Sequence, residues 1–370
     1  MNYRLKKIGN YGFSHVIVPA IIALLIGGIG VYTLARIHAN PLQDSSTSGP
    51  FVTLLFSRSE VTAADNCTEN DTDIAPLLPL TPDSTAVAPF LQSLGFSGTG
   101  TLVTGNTQQS SYLCTHNNDS LGASWDAATT LAQQYGWSFV SHTADYPGPA
   151  KMARLTTQQQ YNETCGSAAT IDAHGLPGGH GMIAYPGLQT APTSLQSVYG
   201  AECFAWGRTY GNNGLTSSSA GSTAPYWQNT EAVMGGPCND KTQTQTGGCY
   251  NLTATGSKRY KLPSKIIAQI QALQPGQWLT IQAYLLVNGT NDTASPIGYT
   301  NNKTQWDCSS SNPSEHWTND VERYCYSDYQ QIVNAISTYN QNINTSGGTP
   351  ITVTDPLTVG KAFTRPATYQ

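Results

Sequence analysis

The sequence predicts an α/β fold built around a mainly parallel sheet. Segments with strand-like and helix-like patterns alternate along most of residues 51–340, and several strand-like segments are short, mostly apolar runs. Such alternation is typical of β–α–β units, whose parallel strands are buried on both faces. The chain has no repeat of fixed period, which disfavours a solenoid.

The first elements follow from short apolar runs and from helical spacing. FVTLLF at residues 51–56 predicts a buried first strand. After a polar loop, residues 84–94 place apolar side chains at helical spacing, and residues 99–103 have a strand pattern. Residues 125–135 have an apolar helical face, and the apolar run that follows predicts a third strand at residues 137–142.

The middle of the chain continues the alternation and then departs from it. Residues 156–173 are polar but compatible with a helix, and residues 182–185 predict the fourth strand. A fifth strand is expected at residues 201–206. Residues 212–256 are rich in Gly, Ser, Thr and Gln with little periodicity, so a long loop held by disulfides is expected there.

The last elements are a helix, a strand and a second helix. Residues 262–273 have helical spacing, residues 278–287 form a buried-strand pattern, and residues 324–339 have apolar side chains at helical spacing. Residues 341–370 contain several Pro and Gly residues. We expect them to form a strand-like or disordered C-terminal extension.

Residues 16–36 are expected to form an uncleaved signal-anchor helix. The run from Val16 to Ala35 is apolar and long enough to cross a bilayer. Basic residues lie mainly before it, so the positive-inside rule places residues 1–15 in the cytoplasm and the domain outside the cell membrane. A cleavable signal peptide is the alternative, although its apolar core is usually only ~7–15 residues long. Residues 37–50 have the composition of a linker.

Composition and cysteines agree with an exported protein. Charged residues make up 11% of the chain, against roughly 25% in an average soluble domain. The net charge of −5 offers no basic footprint for nucleic acid. All eight cysteines follow the anchor, which indicates disulfides of unknown connectivity. Two pairs flank polar loops and are the favoured local bridges, namely Cys238 with Cys249 and Cys308 with Cys325.

Two short motifs stand at the ends of predicted strands. Ser-His-Thr at residues 141–143 ends the third strand, and Tyr-Pro-Gly at residues 185–187 ends the fourth, with the helix at 156–173 between them. In this order the chain resembles the polysaccharide deacetylase family (the NodB-homology domain), metal-dependent hydrolases that remove acetyl groups from N-acetylated sugars. The resemblance covers residues 51–340 and implies an irregular (β/α) barrel.

The resemblance implies a metal site of which only part is present. The family places an Asp-Asp pair after the first strand, as base and metal ligand, but the matching positions are Ser57 and Arg58. Its His-x-x-x-His motif matches His142 at the first histidine and Tyr146 at the second. A neutral tyrosine is a poor ligand for a divalent ion, whereas the neighbouring Asp145 could act as one.

The resemblance also implies a groove for the sugar. The histidine that the family places near the leaving group, after a late strand, matches Tyr284. No catalytic residue can be assigned when these positions have changed. The expected substrate groove comprises Tyr146, Tyr185, Pro186, Gly187 and Tyr284.

Three hypotheses follow for the function. The first is a binding protein that holds a cell-surface polysaccharide or peptidoglycan-like glycan with little or no hydrolysis and needs no cofactor. The second is an active carbohydrate N-deacetylase, a hydrolase of non-peptide C–N bonds, in which His142, Asp145 and Glu60 hold zinc or another divalent ion. The third is a structural surface module that binds no ligand.

The distribution of basic residues generates a test of topology. We expect protease added to intact cells to remove the domain that follows residue 36, because the positive flank of the anchor stays in the cytoplasm. Immunoblotting of the protease-treated cells measures this. Digestion that requires cell lysis would show the opposite orientation.

Overall fold

The computed structural model describes much of the chain between residues 49 and 363. The described residues belong to the second of the two units into which the chain divides, Ser48–Gln370, and no helix among them is long and apolar enough to cross a membrane. The predicted anchor at residues 16–36 lies outside them. They are residues 49–56, 75, 77–79, 86–105, 107, 124–147, 149–185, 203–210, 215–217, 228–232, 249–251, 259–295, 304–313, 316–318, 323–346 and 348–363.

Strands and helices alternate through the first half of this unit. The strands are β1 Phe51–Phe56, β2 Thr99–Leu102, β3 Ser138–Ser141, β4 Met182–Ala184, β5 Trp206–Tyr210, β6 Leu215–Ser217, β7 Gln228–Ala232, β8 Cys249–Asn251, β9 Arg259–Lys261, β10 Gln277–Ala283, β11 Leu285–Val287, β12 Thr290–Ser295, β13 Thr304–Asp307, β14 Trp317–Thr318, β15 Arg323–Cys325 and β16 Thr352–Val353. The helices are α1 Val87–Ser93, α2 Trp125–Tyr135, α3 Pro149–Met152, α4 Thr157–Tyr161, α5 Ser167–Ala173, α6 Pro263–Gln271, α7 Tyr326–Ser346 and α8 Pro356–Ala362, with a π-helical turn at Asn162–Gly166.

The central sheet is parallel and curls until its pairings return to the first strand. The order β1-β2-β3-β4-β5-β7-β10 is parallel at every step, and β10 pairs with β1 from Phe51↔Trp278 to Phe56↔Ala283. Strand β16 adds in parallel at the start of β1, and β6 adds antiparallel to β10. The curl therefore has an inner face and an outer face.

Side chains of β1 alternate between these two faces. Val52, Leu54 and Phe56 belong to the main apolar cluster, which also contains buried residues of α1, α2, α6 and α7. Phe51 and Leu55 belong to a second cluster that includes residues of β3, β4, β5, β10 and α8. Because side chains of a strand point alternately to opposite faces, the second cluster lies on the inner face.

Helix α8 fills the inner face at the end where the strands begin. The Phe363 ring lies 5.7 Å from the ring of Phe51 and 6.0 Å from that of Trp206. The indole Nε1 of Trp206 donates to the carbonyl oxygen of Pro356 at 3.0 Å. Asp355 caps the helix by accepting from two amides of its first turn. The amino end of the sheet is therefore occupied by apolar side chains.

Local signals explain where several elements begin and end. Ser124 accepts from the Ala127 amide at the start of α2, and Gly136 ends that helix with a φ of 68°. Thr156 and Gln159 form a capping box at the start of α4. The predicted helix at residues 125–135 is confirmed, and the one predicted at 156–173 is present as α4, the π-helical turn and α5.

Four predictions are corrected by the structure. The fifth strand lies at Trp206–Tyr210 rather than at residues 201–206. The loop expected at residues 212–256 contains β7, which pairs through its backbone with β5 and β10 and so needs no apolar pattern. The strand expected at 278–287 divides at Tyr284, where the chain leaves β1 and pairs with β15 instead. The C-terminal extension contains α8 as well as the short strand β16.

Within the described ranges, two disulfides hold segments outside the central sheet. Cys308 and Cys325 are bonded as predicted, with Cα atoms 5.6 Å apart. Cys165 and Cys203, separated by 38 residues, form a bond that the sequence did not single out. The predicted partner of Cys249, Cys238, lies outside the described residues. The Cys165–Cys203 bond ties the π-helical turn to the segment before β5.

The position of Phe363 generates a test of the inner core. Phe363→Ala should lower the free energy of unfolding by about 3 kcal/mol, because it opens a cavity between two aromatic rings. Urea denaturation measures the change. The matched substitution Lys361→Ala, on an exposed side chain of α8, should stay within about 0.5 kcal/mol. Equal losses for the two variants would show that α8 does not support the core.

Candidate functional site

The best candidate site lies at the carboxyl end of the curled sheet, around His142. In parallel α/β sheets the ligand-binding groups collect where the strands end. His142 directly follows β3 and is only 2% exposed. Its backbone amide donates to the Leu102 carbonyl on one neighbouring strand at 2.8 Å. Its ring Nδ1 lies 2.5 Å from the Ala184 carbonyl oxygen on the other. The imidazole is therefore fixed between β2 and β4.

The hydrogen bond to Ala184 also fixes the tautomer of His142. A carbonyl oxygen can only accept, so Nδ1 carries the proton and donates. In a neutral imidazole the lone pair is then on Nε2. Histidines that bind metal ions or accept a hydrogen bond from a ligand commonly use this arrangement, with one nitrogen anchored to a backbone carbonyl.

Tyr146 lies against the His142 ring. The two ring centroids are 4.9 Å apart with an interplanar angle of 71°, an edge-to-face contact. Tyr146 is half-buried. The position that the resemblance gives to a second metal-binding histidine therefore holds a phenol ring in contact with the first.

The loop that carries Tyr146 has an unusual backbone. Thr143 and Tyr146 have φ values of 69° and 54°, a region that residues other than glycine seldom adopt. Local hydrogen bonds hold the turn, because the Tyr146 amide donates to Thr143 Oγ1 and the Thr143 amide donates to Ser141 Oγ, both at 3.1 Å. Such strain persists only where the surroundings enforce it, and it is concentrated at functional sites.

Glu163 is the main support of this loop. One carboxylate oxygen accepts from the amides of Ala144 at 3.1 Å and Asp145 at 2.9 Å. Glu163 lies in the π-helical turn and is 8% exposed. Burial raises its pKa above the ordinary value, although the amide of Asp145 counteracts this. Sequence analysis missed Glu163, and the available signal was an acidic residue in the middle of a helix that has only one other charged residue, Asp172.

A glycine on the neighbouring strand end makes room for the same loop. The Gly105 amide donates to the Ala144 carbonyl at 2.8 Å. A Cβ atom at Gly105 would lie 2.8 Å from that same oxygen and closer still to the Asp145 carboxylate. Any larger residue would therefore push the loop away from β2. Asp145 itself is exposed, so its side chain can reach a ligand in solvent.

The remaining predicted site residues are spread along the carboxyl end of the curled sheet. Tyr185 follows β4 next to the anchoring carbonyl and is 5% exposed, and burial raises the pKa of its hydroxyl. Tyr284 is half-buried directly after β10, which β1 and β2 separate from β3. The structure therefore brings the rings of His142 and Tyr146 into contact, with Asp145 in the same loop, and places Tyr284 further along the carboxyl end of the sheet. Ser57, Arg58, Pro186 and Gly187 lie outside the described residues.

A buried arginine inside the curl is a second feature that sequence analysis missed. Arg208 on β5 is 2% exposed, and its Nη1 donates to Gln282 Oε1 on β10 at 2.7 Å. Since β7 lies between these strands, the contact spans the inner face. The arginine in the segment WGRTY was the available signal, because a charged side chain in a buried strand needs a hydrogen-bonding partner.

The described residues offer one converging group of three potential metal ligands, and it does not include His142. That group is His316, Cys325 and Asp328, which come much later in the sequence than β3. No family model matches this chain, and no curated protein matches it. The site around His142 offers one oriented imidazole, one phenol ring and one exposed carboxylate.

The raised pKa of Glu163 generates a test by pH. Folding favours its protonated form, so the free energy of unfolding should fall as pH rises through the raised pKa. Glu163→Gln keeps an oxygen acceptor but cannot ionise, so it should lose less stability between about pH 4 and pH 7. Urea denaturation at several pH values measures this difference.

A second substitution separates the effect of the Glu163 charge on stability from that of its hydrogen bonds. Glu163→Ala removes the side-chain acceptor of the Asp145 amide and should cost about 1–3 kcal/mol at pH values below the raised pKa of Glu163. This cost should become smaller as pH rises, because the wild-type protein itself loses stability. Parallel pH profiles for wild type and Glu163→Gln would contradict the raised pKa.

Proposed function

We propose that this chain is a membrane-anchored, extracytoplasmic, polysaccharide-deacetylase-like protein that binds N-acetylated cell-surface glycan with little or no hydrolysis. The observation that carries the proposal is the edge-to-face contact of Tyr146 with His142. An aromatic ring and an oriented imidazole together suit a sugar, which presents both apolar C–H faces and hydroxyl groups.

The fold is compatible with this proposal. The central strands are parallel, and their pairings return to β1. Buried residues of helices pack against the face of β1 that points away from the inner cluster. An irregular (β/α) barrel of the polysaccharide deacetylase type would have this arrangement, with its ligand groove at the carboxyl ends of the strands. The anchor at residues 16–36 would hold the groove at the outer surface of the membrane.

The groups at the edge suit recognition of hydroxyl and amide groups. His142 Nε2 can accept a hydrogen bond when Nδ1 donates to Ala184. Asp145 is exposed in the same loop as Tyr146 and can accept from a sugar hydroxyl. Tyr146 supplies an apolar face with a polar tip. Small-molecule sites commonly combine aromatic walls with a few such convergent polar groups.

Weak or absent hydrolysis follows from the identity of residue 146. Catalytic zinc sites usually have three protein ligands and one open position for water. The resemblance implies a metal held by two histidines and one aspartate, with a second aspartate as base. Tyr146 replaces one histidine, and Ser57 and Arg58 replace the two aspartates. With fewer ligands, a metal-bound water of lowered pKa is not formed efficiently.

The second candidate is an active carbohydrate deacetylase with a rearranged metal site. The tautomer of His142 favours it, because anchoring Nδ1 leaves Nε2 as the nitrogen that would bind the ion. Asp145 would be the second ligand, and Glu60, which lies outside the described residues, would be the third. The metal would supply an acidified water and polarise the acetamide carbonyl.

Binding measurements test the first candidate, with a substitution of a second tyrosine as the control. Tyr146→Ala should weaken binding of N-acetylglucosamine oligomers about two- to tenfold, because loss of an aromatic contact costs roughly 0.5–1.5 kcal/mol. Isothermal titration calorimetry measures this. Tyr161→Ala removes the same side chain from an exposed position, 42% accessible, in the following helix, and should leave binding unchanged. Equal affinities for the two variants would contradict the proposed groove.

Metal content and product release separate the two candidates. The binding protein should purify without stoichiometric zinc and release negligible acetate from the same oligomers. Stoichiometric zinc, together with acetate release that is lost in His142→Ala, would establish the deacetylase instead.

A further inference from the structure

A second polar cluster lies far along the chain from His142, next to the Cys308–Cys325 disulfide. His316 is 2% exposed, and Asp328 and Cys325 are fully buried. His316 Nδ1 lies 2.9 Å from Asp328 Oδ2. A ligand atom of each of the three residues lies within 4.8 Å of the others. Buried His, Asp and Cys side chains converge in this way at metal sites.

The second nitrogen of His316 is anchored as in a metal ligand. Nε2 lies 2.6 Å from the Ser310 carbonyl oxygen, so Nε2 carries a proton and donates to it. A histidine that binds a metal through one nitrogen usually donates from the other to a carbonyl or carboxylate. This contact turns Nδ1 towards Asp328 and Cys325. It is a separate observation from the short distances among the three ligand atoms.

The disulfide is what keeps the cluster from binding an ion. While Cys325 is bonded to Cys308, its sulfur is not a thiolate, and only a thiolate binds zinc well. Opening the bond would produce two thiols that begin adjacent to each other, with Cα atoms 5.6 Å apart. The set would then contain two sulfurs, one imidazole nitrogen and one carboxylate.

We propose that Cys308, His316, Cys325 and Asp328 form a tetrahedral zinc site whenever their disulfide is open. Four protein ligands with no open position make a structural site rather than a catalytic one. Nitrogen and oxygen ligands at about 2.0–2.2 Å from a tetrahedral ion are about 3.3 Å apart, so the Nδ1–Oδ2 separation of 2.9 Å needs little change. Thiolate ligands favour zinc over magnesium or calcium.

The conversion balances with a phosphine as reductant. The S–S bond breaks, phosphorus is oxidised and takes its oxygen from water, and the two protons of that water end on the two sulfurs. In the oxidised protein Nδ1 of His316 also carries a proton, because it donates to the carboxylate oxygen of Asp328. Zinc displaces this proton and both thiol protons, so three protons are released to solvent. The disulfide and the ion are thus alternative links between the segment after β13 and the start of α7.

Metal counting on the full chain tests the site. The protein is treated with a phosphine or left oxidised, incubated with Zn²⁺, separated from free ion and analysed for zinc by atomic emission. The reduced protein should hold one more equivalent than the oxidised protein. With Co²⁺ it should show the sulfur-to-cobalt charge-transfer absorption and visible bands of a tetrahedral thiolate site.

The Cys165–Cys203 disulfide provides the matched control. Reduced Cys165→Ser/Cys203→Ser should still take up the additional equivalent, whereas reduced Cys308→Ser/Cys325→Ser should not. Asp328→Asn, which keeps both thiols and nearly the same volume, should lower Co²⁺ affinity by more than about tenfold. If the reduced wild-type protein takes up no additional metal, His316 and Asp328 form only a buried ion pair and the proposal is wrong. Equal uptake by the two double variants would also overturn the proposal.

Discussion

The pairing of β1 with β10 is the interaction on which the rest of the structure depends. It runs in register over the whole of β1, from Phe51 to Phe56, and it joins a strand near the start of the domain to one more than two hundred residues later. Without it the sheet would be open, and Phe51, Leu55 and Trp278 would not belong to one shared apolar interior. The closure creates two unlike ends. The amino end is filled by α8, and the carboxyl end carries the polar groups around His142.

Much of the fold could be predicted from sequence because burial leaves a periodic pattern. The apolar run at β1 and the helical face of α2 are examples, since each element packs against the core. Strand β7 could not be found in this way. It is held by backbone pairing with two neighbours, and hydrogen bonds of the main chain impose no preference on side-chain hydrophobicity. Local patterns thus predicted the elements better than they predicted the closure.

The residues of the candidate site also fall into those that the sequence predicts and those that it does not. His142 was predictable because it follows an apolar strand, and Tyr146 because it stands four residues later. Glu163 was not, since its role arises from contacts with amides eighteen and nineteen residues away. The same distinction separates the two disulfides seen among the described residues. Cys308–Cys325 closes a short polar loop of the kind that sequence reveals, whereas Cys165–Cys203 depends on how β4 and β5 are placed.

The anchor of His142 has a consequence for how this site can evolve. Its acceptor is the main-chain oxygen of Ala184, which every amino acid at that position would supply. Substitutions at position 184 that fit the core leave the imidazole where it is. Mutational drift can therefore replace the groups around His142 one at a time, with the ring orientation unchanged. A scaffold of this kind loses one activity without losing its capacity to acquire another, because the most demanding geometric element is encoded by the backbone.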